Sequence, residues 1–547
     1  MASRQRGADA LVRAMTNAGV RRVFTLSGNH IMSVFDAALD AGISLIHTRH
    51  EAAAVHMADA WARLTGEPGI ALVTGGPGHA NAVGALYTAA MAESPVVLLS
   101  GHAPNSQLGT GAFQEMRQAE IAAPLTKLAF TSASAEDIAR DLATAIRAAR
   151  SGRCGPVHLS LPTDCLDGEA DIDDLPGAEA FRPDSIALDA GAADAMLERL
   201  RRARRPVILV GPGLMTRTGR DAIATLEHAT QIPVIGMESP RGLADSSLGA
   251  VAPLLAQTDC VLLLGKRLDY TLKFGKPPTF GEACEFLQID ADAEEIARSR
   301  FAIGARLGAT VLAQPLAAAE TLSRAARAKP ATKSAWLSDV RAAIAYRPTG
   351  WEAATSRQNG RLHPLQVLLP LQAVLDEHPD SVLILDGGEF AQWAQACLRA
   401  PNRVSNGVAG AIGAGLPFAV AARLAQPDAP VIAIMGDGTF GFHPAEIDTA
   451  VRYGLPFVAV VGNDARWNAE YQIQLRDYGP NRVGGCELLA TRYDRVAEGF
   501  GGYGELVTSA DEVVPAVRRA IASGLPACIN VMLEGQAAPT FAPAASM

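Results

Sequence analysis

No run of about 20 uninterrupted apolar residues occurs in this 547-residue chain, so no membrane-spanning helix is expected. The N-terminus, Met1-Ala-Ser-Arg-Gln-Arg-Gly-Ala-Asp9, lacks an apolar signal region, and the expectation is a cytoplasmic protein. Basic blocks are scarce. None exceeds Arg201-Arg202-Ala203-Arg204-Arg205, and the formal charge is -9, which argues against a nucleic-acid-binding face. The seven cysteines, at 154, 165, 260, 284, 397, 486 and 528, contain no Cys-x-x-Cys pair. Their scatter argues against a disulfide framework or a zinc knuckle and leaves buried reduced thiols. Gly (51) and Pro (33) stand near average usage, which removes collagen-like and low-complexity readings. No short tandem repeat is visible.

What is present is material for packed cores. Hydrophobic residues make up 49% and charged residues 19%, which excludes disorder across the whole chain. At about 100–200 residues per domain the length suggests three or four domains. Short β-branched runs alternate with Ala-rich amphipathic segments. The runs include Ile70–Thr74, Pro95–Ser100, Pro206–Val210, Cys260–Leu264, Val382–Leu385, Val431–Met435 and Phe457–Val461. Continuous apolar runs of this length fit strands buried on both faces, and the helical patterns between them imply βαβ units. The fold class is therefore α/β, with mostly parallel sheets flanked by helices. Acidic, turn-rich residues 167–190 and the Pro/Gly-bearing stretch 328–360 look like linkers. Three domains follow: 1–170, 188–328 and 355–547.

The third domain carries the most specific pattern. The run Val431–Met435 leads into Gly436-Asp437-Gly438-Thr439, and the next, Phe457–Val461, ends in Gly462-Asn463-Asp464. Ligands of open parallel sheets bind beyond the carboxyl ends of strands, so Asp437 and Asp464 can face one site. A hard cation such as Mg²⁺ takes one or two carboxylates and completes its shell with phosphate oxygens. Gly436 and Gly438 allow backbone N–H groups near a phosphate, and Thr439 adds a hydroxyl.

In this paired motif the chain resembles the thiamine-diphosphate (ThDP) enzymes, with their pyruvate-oxidase/decarboxylase-like architecture. The resemblance implies a Pyr domain, a central nucleotide-binding-like domain and a PP domain, with ThDP and Mg²⁺ as cofactors. It implies Asp437, Asp464 and the Arg466 carbonyl as metal ligands. Asp464 departs from the commoner Asn and adds negative charge beside the diphosphate. Gly410-Ala-Ile412-Gly-Ala-Gly415 resembles the segment facing the cofactor rings, with Ile412 as the apolar wedge. Asp386-Gly387-Gly388-Glu389 resembles a second diphosphate-side loop.

In the first domain, His47-Thr-Arg-His50-Glu51-Ala-Ala-Ala-Val-His56 opens a helical pattern through Arg63. His50 and His56 are six apart, which does not suit a metalloprotease pair four apart. Alone, Glu51 reads as a charge compensating a helix dipole. The resemblance makes it the Glu that bonds the aminopyrimidine N1′ and shares a proton with it. Gly28-Asn29-His30, Gly75-Gly-Pro-Gly-His79 and Ala112-Phe113-Gln114-Glu115 follow predicted strands and can converge on one mouth. The resemblance implies pocket roles for His30, His79 and Gln114, and for Glu470 in the third domain. Ile473 stands where acetolactate synthases usually place a Trp.

The middle domain offers Gly211-Pro-Gly213 after a strand, which reads better as a structural turn than as a phosphate cradle. The segment Gly265–Gly275 resembles the 2-hydroxyacyl-CoA lyase middle domain, which holds ADP. Acetolactate synthases hold FAD there, but their pattern is reduced here to Arg267-Leu-Asp-Tyr270. The first expectation is an acetolactate-synthase-like enzyme acting on a 2-keto acid and an aldehyde or ketone. The alternatives are a benzaldehyde-lyase-type or 2-hydroxyacyl-CoA-lyase-type enzyme without decarboxylation, the latter on acyl-CoA, and a non-catalytic ThDP- or nucleotide-binding subunit. The resemblance further implies a homodimer or homotetramer.

Overall fold

The computed structural model describes residues 4–328 and 334–541. Among these residues the strands are, in chain order, β1 Arg4–Arg6, β2 Arg22–Thr25, β3 Ser44–His47, β4 Gly69–Val73, β5 Val96–His102, β6 Ala129–Thr131, β7 Val157–Pro162, β8 Glu169–Asp171, β9 Pro206–Val210 and β10 Val234–Gly236. They continue as β11 Cys260–Leu264, β12 Glu285–Asp290, β13 Leu307–Leu312, β14 Val382–Asp386, β15 Asn402–Ser405, β16 Val431–Gly436, β17 Val458–Asn463, β18 Tyr503–Val507 and β19 Ala527–Met532.

These strands form three parallel sheets flanked by helices, plus an antiparallel β1–β8 pair. The first sheet runs β3-β2-β4-β5-β7-β6, and the third runs β15-β14-β16-β17-β19-β18. Renumbered within each sheet, both orders read 2-1-3-4-6-5. The central sheet, β10-β9-β11-β12-β13, reads 2-1-3-4-5. In each, the order reverses between the first and third strands, where a crevice opens at their carboxyl ends. The central strands β4, β9, β11 and β14 are buried along their whole length, as both-face burial requires. Each fully buried Leu or Ile there contributes roughly 1.5–3 kcal/mol.

Compactness divides the chain into two units. One comprises 1–184 with 416–427 and 443–456; the other comprises 185–415, 428–442 and 457–547. The two expected linkers need correction. The strand β8 pairs with β1, and Phe181 is buried in the first core, so the acidic stretch is partly structured. Within 328–360, the Lys329-Pro330 portion lies outside the described residues. Residues Ala335–Ala345 form a helix that buries Trp336 and Val340 in the central core, with Trp336 Nε1 donating to the Pro206 carbonyl at 2.9 Å. An indole and a valine on one helical face were enough apolar surface to dock it. Among the described residues no helix is long and apolar enough to cross a membrane.

Candidate functional site

Within the first unit, the helix Glu51–Thr65 starts where β3 ends. His50 is extended and caps it, accepting from Ala52 N at 3.1 Å, and Gly66 closes it in the left-handed conformation. Glu51 is 9% exposed, and its Oε2 accepts from Asn81 Nδ2 at 3.1 Å. The turn before it is held tightly. Arg49 N donates to the buried Glu446 carboxylate at 3.0 Å, and Arg452 donates to the His47 carbonyl at 2.6 Å. Tyr453 O–H donates to the Leu45 carbonyl at 2.7 Å. Burial pushes the Glu446 carboxyl up to about 6.

Next to Glu51 lies the Gly75–Gly78 turn after β4. A Cβ on Gly78 would lie 2.7 Å from Thr74 Cγ2, so a larger residue would have to displace Thr74, and it would touch Glu51 Oε1 at 3.4 Å. His30, after β2, is buried; its Nδ1 pairs with the Thr74 hydroxyl at 3.1 Å and its Nε2 donates to the Phe113 carbonyl at 3.3 Å. Its ring stacks on Phe113 at 5.7 Å, and burial lowers its pKa, keeping a neutral imidazole. Gln114 follows at φ +55, a left-handed conformation costing a non-glycine residue about 1–3 kcal/mol.

His79 requires a correction. It is 0% exposed, with Nδ1 2.9 Å from Ser100 Oγ and its ring 4.5 Å from His158. It has no face from which to meet a substrate. Burial lowers its pKa to about 4, so it is a neutral core histidine.

The second unit holds the carboxylate pair. Asp437 opens a short helix directly after β16, and its buried Oδ2 has no hydrogen-bond partner. Burial raises its carboxyl to about 6. Asp464, past β17, is raised to about 8 by burial and by the like charge of Asp437. Asn463 is fully buried and pins the loop: its side chain donates to the Thr491 carbonyl at 2.9 Å and accepts from Ala465 N at 3.2 Å. Ala465 is held at φ +58. The Asn thus anchors while the Asp is presented. The following ladder uses the Ala465 carbonyl and the Trp467 N–H, placing Arg466 between them.

Gly438 is set by Trp467, whose ring would lie 2.6 Å from an added Cβ; Gly387 likewise admits the Thr439 hydroxyl. A Cβ on Gly436 would meet nothing within 4 Å, an open cradle beside Asp437, and Gly388 would meet only Ala469. Among the described residues there is no group of three or more His, Cys, Asp or Glu side chains suited to a metal. A cation here would therefore rely on two carboxylates plus other oxygens, which suits Mg²⁺ with phosphate. The orphaned Asp437 oxygen, the mutual repulsion of the pair and the open cradle fit that demand.

The segment Gly410–Gly415 belongs to the same unit and is held by Asp386 and Asn406. The buried Asp386 carboxylate, past β14, accepts from Gly413 N at 3.0 Å and Gly415 N at 2.6 Å. Asn406 Nδ2 donates to the Ala411 carbonyl at 2.9 Å. These grips fix the half-buried Ile412 between them. Glu389 departs from its expected diphosphate role. Its Oε2 pairs with Arg241 at 2.8 Å and accepts from Ala538 N at 2.8 Å, so a potentially repulsive charge is neutralised within the fold. Glu470 lies exposed in the first turn of the helix Asn468–Tyr478, and Ile473 is exposed on the same helix.

In the central sheet, Gly211 and Gly265 follow β9 and β11 at the reversal point. An added Cβ on Gly211 would strike the Gly265 carbonyl, so this glycine serves backbone packing. Lys266 is buried, its Nζ donating to the Arg267 carbonyl at 2.9 Å and the Thr271 hydroxyl at 2.8 Å. At this turn Gly211 serves backbone packing and Lys266 is engaged within the fold.

The N-terminal TPP-binding domain of thiamine pyrophosphate enzymes matches residues 5–121, the central domain 193–314, and the C-terminal TPP-binding domain 386–531. The chain belongs to the thiamine-diphosphate-dependent enzymes. An acetolactate synthase large subunit from Mycobacterium tuberculosis is 34% identical over 533 residues, covering 96% of this chain and 95% of that protein. A 2-hydroxyacyl-CoA lyase from Oryza sativa subsp. japonica is 30% identical over 558 residues, covering 95% and 94%. Human 2-hydroxyacyl-CoA lyase 2 is 31% identical over 591 residues, covering 97% and 90%. In this ThDP-family chain, sequence reasoning passed over Asn81, Glu446, Gln118 and the grip of Asp386. Each is a polar residue with a partner 27 or more residues away, and only Asp386 stands inside a recognisable motif.

Proposed function

We propose that this ThDP-family chain is an acetolactate-synthase-like carboligase, which decarboxylates a 2-keto acid and transfers the acyl group to an aldehyde or ketone. The observation that carries the reading is the pair Asp437 and Asp464 beyond adjacent strand ends, with a buried Asp437 oxygen lacking a partner. These residues, with the Arg466 carbonyl, would hold Mg²⁺, and the backbone of Gly387, Gly388, Gly436 and Gly438 with the Thr439 hydroxyl would face the diphosphate. When bound, ThDP supplies a nucleophilic carbon and an electron sink for C–C chemistry.

The chain's residues do the rest. Ile412 supplies an apolar surface against the cofactor rings. Asn81 steadies Glu51 Oε2, so Oε1 is left to hold and pass a proton at the pyrimidine N1′. His30, neutral at pH 7, offers a polar edge to a substrate carbonyl, with Gln114 alongside. A homodimer or homotetramer, in which the first domain of one chain serves the third domain of another, follows from the family likeness. A lyase reading is the second choice, favoured by the buried, stacked His30.

Product analysis by NMR separates the two. Protein with ThDP, Mg²⁺ and pyruvate, with and without benzaldehyde or formaldehyde, is expected to release CO₂ and form acetolactate or a mixed acyloin. Untouched pyruvate with coupled aldehydes, or cleavage of an acyloin, would transfer the assignment to the lyase.

The raised carboxyls make a pH prediction. Metal loading requires Asp437 (about 6) and Asp464 (about 8) to be ionised. Mg²⁺ affinity in the presence of ThDP is therefore expected to rise between pH 6 and pH 8, with proton release seen by calorimetry in two buffers. An affinity flat over that range would contradict it.

A further inference from the structure

Gln118 opens the short helix Gln118–Ala122 and is 1% exposed. Every amide atom of its side chain is spent. Its Oε1 accepts from Gly76 N at 2.8 Å, and its Nε2 donates to the Gly101 carbonyl and to Ser160 Oγ, both at 3.1 Å. Gly101 and Ser160 belong to β5 and β7, so the side chain is plugged into the carboxyl end of the sheet. Its single acceptor reaches the Gly75–Gly78 turn beside Glu51.

That turn bears on Gln114. Gly76 is at φ +58, and a Cβ there would sit 2.7 Å from Gln114 Cβ and 2.9 Å from its carbonyl oxygen. Gln114 is itself left-handed. A strained Gln114 packed this closely against Gly76 persists only where the surroundings hold it. The loop before Gln118 is closed by Glu115, which accepts from Gly109, Gly111 and Ala112 N, and by His102, whose Nε2 lies 2.9 Å from the Met116 carbonyl.

We propose that Gln118 is a positioning residue that fixes Gly76 and thereby sets Gln114 for the substrate. This deepens the carboligase reading and rests on it. Glutamine suits the position because the Gly76 N–H requires an acceptor and the Gly101 carbonyl a donor, while the second amide hydrogen serves Ser160 Oγ, all from one planar group. Neither Leu nor an ionised Glu supplies that set.

The test compares Q118L and Q118E with the wild-type holoenzyme. In Q118E the buried carboxyl is raised, by up to about 3–5 units for full burial. Protonated near pH 6, it accepts from Gly76 N and donates once; ionised near pH 9, it loses its donor. The titratable groups facing it are His79, His158 and His102. Burial keeps the first two neutral over this range, and dividing by wild-type activity removes titrations common to both proteins.

Q118E is expected within about 3-fold of wild-type kcat/KM at pH 6 and at least 10-fold below it at pH 9. Q118L is expected at least 10-fold down at both, with ThDP Kd within 3-fold of wild type. A Q118E-to-wild-type ratio independent of pH, a fully active Q118L, or losses that merely follow ThDP affinity would overturn the proposal. Hydrogen exchange of the peptides spanning 74–80 and 110–118 provides a readout independent of turnover. Faster exchange in Q118L is expected, and unchanged exchange overturns the positioning role. Wild-type protein inactive on every carbonyl substrate would instead remove the carboligase reading, leaving the exchange result to judge Gln118.

Discussion

Replacing Glu51 with Gln is expected to cut turnover by about 10²–10⁴-fold, the range for losing a positioned proton-transfer group. At about 1.36 kcal/mol per decade this is roughly 3–5 kcal/mol of barrier. The structural cost is smaller. Gln is isosteric, and its carbonyl can still accept from Asn81 Nδ2. The charge lost at the start of the helix Glu51–Thr65 is worth about 0.3–1 kcal/mol. The variant should therefore melt within a few degrees of wild type and bind ThDP with similar affinity while turning over slowly. Steady-state kinetics beside a melting curve check this. Turnover close to wild type would remove Glu51 from the chemistry.

The second large effect is at Asp437. An Asp437→Asn variant is expected to lose Mg²⁺-dependent ThDP binding by more than about 100-fold. Outer-shell partners of metals already cost about 10–100-fold, and a direct ligand costs more. Apo stability should move the other way. The Asp437 carboxyl is raised by burial to about 6, so the stability its protonated form contributes is lost as pH rises from about 4 through 6. Removing the charge should then stabilise the apo protein at pH 8, by on the order of 1–3 kcal/mol. Calorimetric titration of ThDP with Mg²⁺, paired with apo melting curves at pH 5 and pH 8, reads both signs. Retained tight binding would exclude Asp437 as a metal ligand.

The strand runs and the Gly-Asp-Gly…Asn-Asp pair were legible because each is a local signal. An apolar run that ends in Gly or Asp reports a buried strand and its carboxyl end within a few residues. Strand order was not legible. The first and third sheets share the order 2-1-3-4-6-5 without a visible sequence repeat, since order depends on pairings far apart in the chain. His79 was misplaced for a related reason. It adjoins Gly78, which lies next to Glu51, but one residue further along a helix turns by about 100°, and that step faces His79 to the sheet. Gln118 and Glu446 carried no local signal at all. Their roles arise from Gly76 and Arg49, 42 and 397 residues away. Glu389 was read from motif position alone, and its partner Arg241 lies 148 residues upstream.

The most direct test of the central claim is the exchange of the C2 proton of enzyme-bound ThDP into D₂O, followed by NMR after rapid quench. With Mg²⁺ and wild-type protein, exchange is expected at least about 100-fold faster than in free ThDP, and Glu51→Gln should bring it back toward the free rate. Exchange no faster than in the free cofactor, or equally fast in both proteins, would contradict an enzyme that activates ThDP through Glu51.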